Sequence, residues 1–197
     1  MLEDHRFTGV VGCLRVDLCA GGAGREEGGV LGTELVPDVN DNIIEFAADT
    51  TRTIASLLYT GATIRYPDIR WIFSHGGGAV PFLVERFLLG SGEVEIVPGI
   101  ITRGQYGPPP GNLPEGALPE IRKLHFDTAH TSNPIALAAL KQLVPVSQII
   151  FGSDYWYRTA EETAANIYAS QVLTDQELSM VLRENAERLF PRLASAA

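Results

Sequence analysis

From residue 41 onward, apolar positions recur in two alternating rhythms. "NIIEFAADTTRTIASLLYTG" carries its apolar residues at helical spacing, with Gly61 placed as a C-cap. "YPD" reads as a turn and "IRWIF" as a short buried strand. After three glycines, "AVPFLVERFLL" returns to the helical period. A second unit pairs the strand "KLHFDTA" with the helix "SNPIALAALKQLV", where Asn133 is the N-cap and Pro134 the first helical residue. In a third unit the strand "QIIFGSD" precedes the helix "TAEETAANIYAS", whose Thr159 and Glu162 form a capping box. A last helix, "TDQELSMVLRENAERLF", repeats that device with Thr174 and Glu177. Strand, polar loop and helix in repeated succession predict parallel strands in an α/β protein.

Two stretches break the rhythm. Residues 1–40 hold a possible strand, "VVGCLRVDLCA", followed by the glycine-rich "GGAGREEGG", and read as an atypical, poorly ordered N-terminal segment ahead of a domain over 41–197. Residues 90–120 include "PGIITRGQYGPPPGNLPEGALP" and are expected to form an exposed loop or lid.

Composition narrows the function. Hydrophobic residues make up 45% of the 197, and the mean hydropathy is +0.07, which suits a globular core. A net charge of −9 disfavours nucleic acid and anionic membranes as partners but leaves room for a small anionic substrate in a local site. Cys13 and Cys19 form neither a CxxC pair nor a disulfide framework, so a reducing cytoplasm is expected. No apolar run reaches the roughly 18 residues of a membrane span. The opening "MLEDHRFTG" lacks the apolar core of a signal peptide.

Three strands end in polar residues: Ser74-His75, Asp127-Thr128 with His130 just beyond, and Ser153-Asp154. In parallel α/β folds the carboxyl ends of strands form the ligand face, so His75, Asp127, His130 and Asp154 are candidates for one site. An imidazole exchanges protons near neutrality, which suits His75 to acid or base work; its alternative is a loop histidine satisfied by a carbonyl. Gly76, Gly77 and Gly78 would let backbone N–H groups approach a carboxylate, or would only make a tight turn. Asp154 offers a hard oxygen donor for a divalent metal or proton transfer, with an N-cap or salt bridge as the alternative. His125 is expected to face away from Asp127. Tyr155, Trp156 and Tyr157 could line a pocket or pack on the next helix. There is no GxSxG elbow, Walker loop, GxGxxG after a strand, or HExxH.

The blocks "EFAADTTRTIASLLYTGATIRYPDIRWIFSHGGGAVPFLVERF", "FDTAHTSNPIALAALKQLVPVSQIIFGSDY" and "ENAERLFPRL" together resemble the C-terminal half of the amidohydrolase-2 family, in the branch of aminocarboxymuconate-semialdehyde and 6-methylsalicylate decarboxylases. The resemblance covers about residues 41 to 193. It implies a partial TIM barrel of the metal-dependent hydrolase superfamily, about strands six to eight with their helices, and one divalent metal, zinc first and manganese next. It implies that His75 is the catalytic histidine and Asp154 both a metal ligand and a proton carrier. Gly76, Gly77, Asp127 and Tyr155 would then contact substrate. The reaction implied is decarboxylation of an aromatic or unsaturated carboxylic acid, a carbon–carbon lyase activity, with hydrolysis next.

The sequence departs from that family in having no HxH pair, where the family places metal ligands on its first strand. Trp156 stands where the family has proline. Three β/α units are also fewer than the eight of a whole barrel. Two readings therefore stand: a metal-dependent decarboxylase or hydrolase, as a homo-oligomer or completed by another chain, and an inactive fragment or interaction module without the metal.

Overall fold

The computed structural model describes residues 43–88, 93–103 and 112–194. The separate segment expected over residues 1–40 lies outside them. The elements run α1 (Glu45–Tyr59), α2 (Ala62–Arg65), β1 (Ile72–Phe73), α3 (Val80–Phe87), β2 (Glu93–Val97), β3 (Ile100–Arg103), α4 (Ala117–Ile121), β4 (His125–Asp127) and α5 (Pro134–Leu143). They continue with β5 (Ile149–Ile150), α6 (Ala160–Ser170), α7 (Asp175–Ser179), α8 (Asn185–Leu189) and α9 (Pro191–Ala194). The fold is α/β, as the alternation of periods predicts.

β1, β4 and β5 form a parallel sheet in the order β1-β4-β5, with Phe73 opposite Phe126 and Phe126 opposite Ile149. One face of this sheet carries Phe73, Phe126 and Ile149. They are buried in a core with Ile54 and Leu58 of α1, Val80 and Phe87 of α3, Leu137 and Leu140 of α5, and Ile167 of α6. Each of these helices lays an apolar stripe on the sheet, the packing that drives a layered α/β domain. The opposite face carries Ile72 and Ile150, which join a second cluster with Leu189 and Phe190.

The register corrects the reading of His125. Residues two apart on a strand point the same way. His125 pairs with Ile72 and Asp127 with Ile150, so His125 and Asp127 share the second face. His125 is buried there, and burial pushes its imidazole below the usual value.

Residues 90–120 also differ from expectation. β2 and β3 make an antiparallel hairpin, and Leu113, Ala117, Leu118 and Ile121 are buried in the main core. The cause is legible in "VEIVPGIIT": two β-branched runs flank a Pro-Gly turn, a hairpin signal hidden by the proline-rich stretch after it.

The helix caps form as expected. Asn133 Oδ1 accepts from the Ile135 and Ala136 N–H groups at 3.1 and 3.0 Å. Both capping boxes close. The last predicted helix is continuous but contains a π turn over Met180–Glu184. Beyond it, Asn185 is buried, and its Nδ2 donates to the carbonyls of Val146 and Ile149, each at 2.8 Å. One amide thus straps the final helix to the start of β5.

Candidate active site

The carboxyl ends of the three parallel strands converge. Four non-glycine residues among those described have positive φ, and three of them are His75 (55°), His130 (51°) and Asp154 (62°). Left-handed backbone at non-glycine residues is strained and collects at functional sites. Here the chain turns sharply beyond each strand, and each turn brings one polar side chain to the same cavity. That cavity measures 490 Å³ and is lined by His75, Gly76, Gly78, His130, Thr131 and Asp154, with Phe46, Phe82 and Tyr157 as aromatic wall.

The turn after β1 is built from α1 as well. Its backbone stays left-handed from His75 through Gly76, Gly77 and Gly78. A Cβ on Gly78 would collide with the Ala47 carbonyl oxygen, and one on Gly77 would sit 2.6 Å from the Phe126 ring. Thr51 Oγ1 donates to Ala47 O at 2.7 Å and accepts the Ala79 N–H at 2.8 Å, tying helix and turn together. Gly77 N–H donates to Ser74 O at 3.1 Å and Gly78 N–H to His75 O at 2.9 Å. The N–H groups expected to hold a substrate carboxylate are thus mostly used inside the turn. Gly76 lines the cavity, whereas Gly77 is buried against Phe126.

His75 is held at both ends. Its N–H donates to Asp127 Oδ1 at 2.8 Å, and its ring Nδ1 lies 3.3 Å from the Ala129 carbonyl oxygen. Asp127 Oδ1 also accepts the Ala129 N–H at 3.0 Å. The other oxygen, Oδ2, faces Gly152, where a Cβ would approach to 2.8 Å. Asp127 is therefore turned to backbone rather than into the cavity, unlike the substrate contact expected of it. Burial raises its carboxyl above the usual range, against the lowering effect of the Ala129 and His75 N–H bonds.

Asp154 and His130 are partners, with His130 Nε2 3.1 Å from Asp154 Oδ2. A carboxylate only accepts, so the ring nitrogen donates. The His130 and His75 rings stand 5.6 Å apart, which places Asp154, His130 and His75 in one row along the cavity. His130 was a sequence candidate by position only; its pairing with Asp154 follows from strand order, which the sequence does not print. Tyr155, expected to touch substrate, is 68% exposed and packs on Trp156 at 5.0 Å, while Tyr157 reaches the cavity.

Among the described residues, no three His, Cys, Asp or Glu side chains come together as a metal-holding group. Asp154 and His130 offer two donors, and they are bonded to each other. A catalytic zinc ordinarily takes three protein ligands. The described residues therefore do not fit a metal centre by themselves, and any further ligand lies outside them. No described helix is long and apolar enough to cross a membrane.

Residues 14–192 match the family Amidohydro_2, amidohydrolase. The chain is 30% identical over 168 residues to a 6-methylsalicylic acid decarboxylase of Aspergillus aculeatus, covering 78% of this chain and 45% of that protein. It is 28% identical over 153 residues to a 6-methylsalicylic acid decarboxylase of Penicillium expansum, covering 77% and 44%. It thus spans less than half the length of these curated relatives. Among solved structures, a 2,6-dihydroxybenzoate decarboxylase from Rhizobium superposes with a TM-score of 0.59 at 17% identity, over 76% of this chain and 43% of that one. A dihydroxybenzoic acid decarboxylase from Polaromonas, solved with bound manganese and 2-nitroresorcinol, gives a TM-score of 0.57 at 15% identity, over 75% and 41%. With a family match that takes in every element from α1 to α8, the chain belongs to the amidohydrolase family Amidohydro_2.

Proposed function

We propose that the chain is part of a metal-dependent decarboxylase acting on an aromatic or unsaturated carboxylic acid, with His75 and Asp154 as its reacting side chains. The observation that carries this reading is the convergence of His75, His130 and Asp154 on one cavity, each on a strained strand end, in a chain of this family. The aromatic wall of Phe46, Phe82 and Tyr157 suits a planar substrate. The three parallel strands would correspond to strands six to eight of a larger barrel, and a reducing cytoplasm suits the chain.

In the reaction proposed, the bond between the ring or alkene carbon and the carboxylate breaks. Its electron pair stays on that carbon as CO2 leaves. A proton then closes the valence, and His75, on the cavity wall, is placed to deliver it. Gly76 is the glycine left facing the substrate carboxylate, with Gly77 and Asp127 supporting from behind and Tyr155 at the rim. Zinc, or manganese, is the ion this reading expects, with Asp154 as one ligand. The described residues do not complete its site.

Each outer strand of the described sheet, β1 and β5, has one neighbour. A second copy or a complementing chain adding strands there would supply the missing ligands. That no three-ligand group forms among the described residues supports a second reading, an inactive or interaction module. Metal content per chain, measured by mass spectrometry on protein purified without chelator, separates the two. Near-stoichiometric zinc or manganese that disappears in Asp154→Ala supports the enzyme. Negligible metal in both proteins supports the module.

A further inference from the structure

The bonds around His75 form a closed circuit that the proposed chemistry does not itself require. Asp127 Oδ1 accepts from His75 N at 2.8 Å and from Ala129 N at 3.0 Å, and the Ala129 carbonyl faces His75 Nδ1 at 3.3 Å. A carbonyl oxygen cannot donate, so Nδ1 must carry the proton in this bond. In the neutral ring that leaves Nε2 without a proton. It is also the nitrogen with no hydrogen-bond partner among the described residues, on a ring that lines the cavity.

We propose that Asp127 is the positioning residue of His75, fixing its Nδ1–H through the Ala129 carbonyl so that Nε2 faces the cavity, where it takes up the proton that His75 then delivers. The role of that nitrogen rests on the decarboxylase reading; the tautomer itself does not.

Three features support the assignment. Asp127 holds both main-chain segments at once: the His75 N–H fixes where the imidazole starts, and the Ala129 N–H fixes the carbonyl that receives it. The His75 backbone is left-handed at φ 55°, a conformation that needs such external support. Finally, the chain makes room for the carboxylate. Gly152 sits where a Cβ would come within 2.8 Å of Asp127 Oδ2, and Gly152 is fixed across β4 and β5 by Thr128. The Thr128 Oγ1 donates to Gly152 O at 3.0 Å and accepts Gly152 N–H at 3.1 Å. A carboxylate oriented by an outer partner is a common way to set a histidine's tautomer.

The test uses the full chain labelled with 15N-histidine, at about pH 8 where imidazoles are neutral. Long-range proton–nitrogen spectra report which ring nitrogen bears the proton. The chain has four histidines, and His75→Gln identifies the signal of interest. Native protein should show His75 protonated at Nδ1. Asp127→Asn, which keeps an accepting oxygen, should retain that tautomer. Asp127→Ala should lose it, and so should Gly152→Ala, which displaces the carboxylate while leaving Asp127 in place. If Asp127→Ala fails to fold, Gly152→Ala decides. With 6-methylsalicylate as substrate, Asp127→Ala should lower kcat about 10- to 100-fold, the usual cost of losing an orienting partner, with KM changed by less than about twofold. A native His75 protonated at Nε2 overturns the proposal, as does an Nδ1 proton that survives both Asp127→Ala and Gly152→Ala. If the tautomer moves as expected but no turnover exists in the native chain, the positioning role stands and the decarboxylase reading falls.

Discussion

At the scale of single residues, the site depends on side chains set at left-handed strand ends and on glycines that make this possible. His75→Gln should reduce decarboxylation by about 10²- to 10⁴-fold, the range expected for loss of a positioned proton donor, as measured by CO2 release. Gly78→Ala should cost at least about 1–2 kcal/mol for left-handed backbone alone, and more from the clash with Ala47 O, seen as a lower urea midpoint. Two ionisable groups on one sheet face, His125 buried and Asp127 half-buried, make stability depend on pH in opposite directions. Burial raises the Asp127 carboxyl, so its contribution is complete in acid and is lost as pH rises from roughly 3.9 through the raised value. Asp127→Asn should therefore gain on the native chain across that rise in urea unfolding. Burial lowers the His125 imidazole, so its contribution is complete above roughly pH 6.5 and is lost as pH falls toward the lowered value. His125→Gln should flatten the acid side of the curve. His75 and Asp154 were legible because a polar residue after an apolar strand is a local signal. The role of Asp127 was not, because its partners, His75 and Gly152, are distant in sequence.

Among elements, legibility follows range of interaction. The Asn133 cap and the Thr159 and Thr174 capping boxes depend on neighbours three residues away, so the sequence states them outright. The β2–β3 hairpin is concealed by the proline-rich run beside it, whereas the face of His125 is set by period two, which places it with Asp127. The π turn over Met180–Glu184 has no local signature; it shifts the register of the final helix ahead of Asn185. Asn185 Nδ2 joins the Val146 and Ile149 carbonyls from a buried position. Asn185→Ala should cost roughly 2 kcal/mol by removing two buried hydrogen bonds, which lowers Tm by about 4–8 °C in thermal unfolding. Asn185→Leu should be no better, since shape alone does not restore the bonds.

For the whole molecule, one layer of helices on a three-stranded parallel sheet carries the cavity at the sheet's carboxyl end. The other sheet face bears Ile72, Ile150, His125 and Asp127, and its outer strands each have an open side among the described residues. Exposed Phe46, Phe82 and Tyr157 surround the cavity and would be covered only by substrate or by more protein. The proposed reaction is removal of CO2 from an aromatic acid in this cavity. Its most direct test is CO2 release from 6-methylsalicylate by the full chain supplied with zinc or manganese, compared with His75→Gln. Metal-dependent release is expected from the native chain, falling by about 10²-fold or more in the variant. No release from the native chain, or equal release from both proteins, would contradict it.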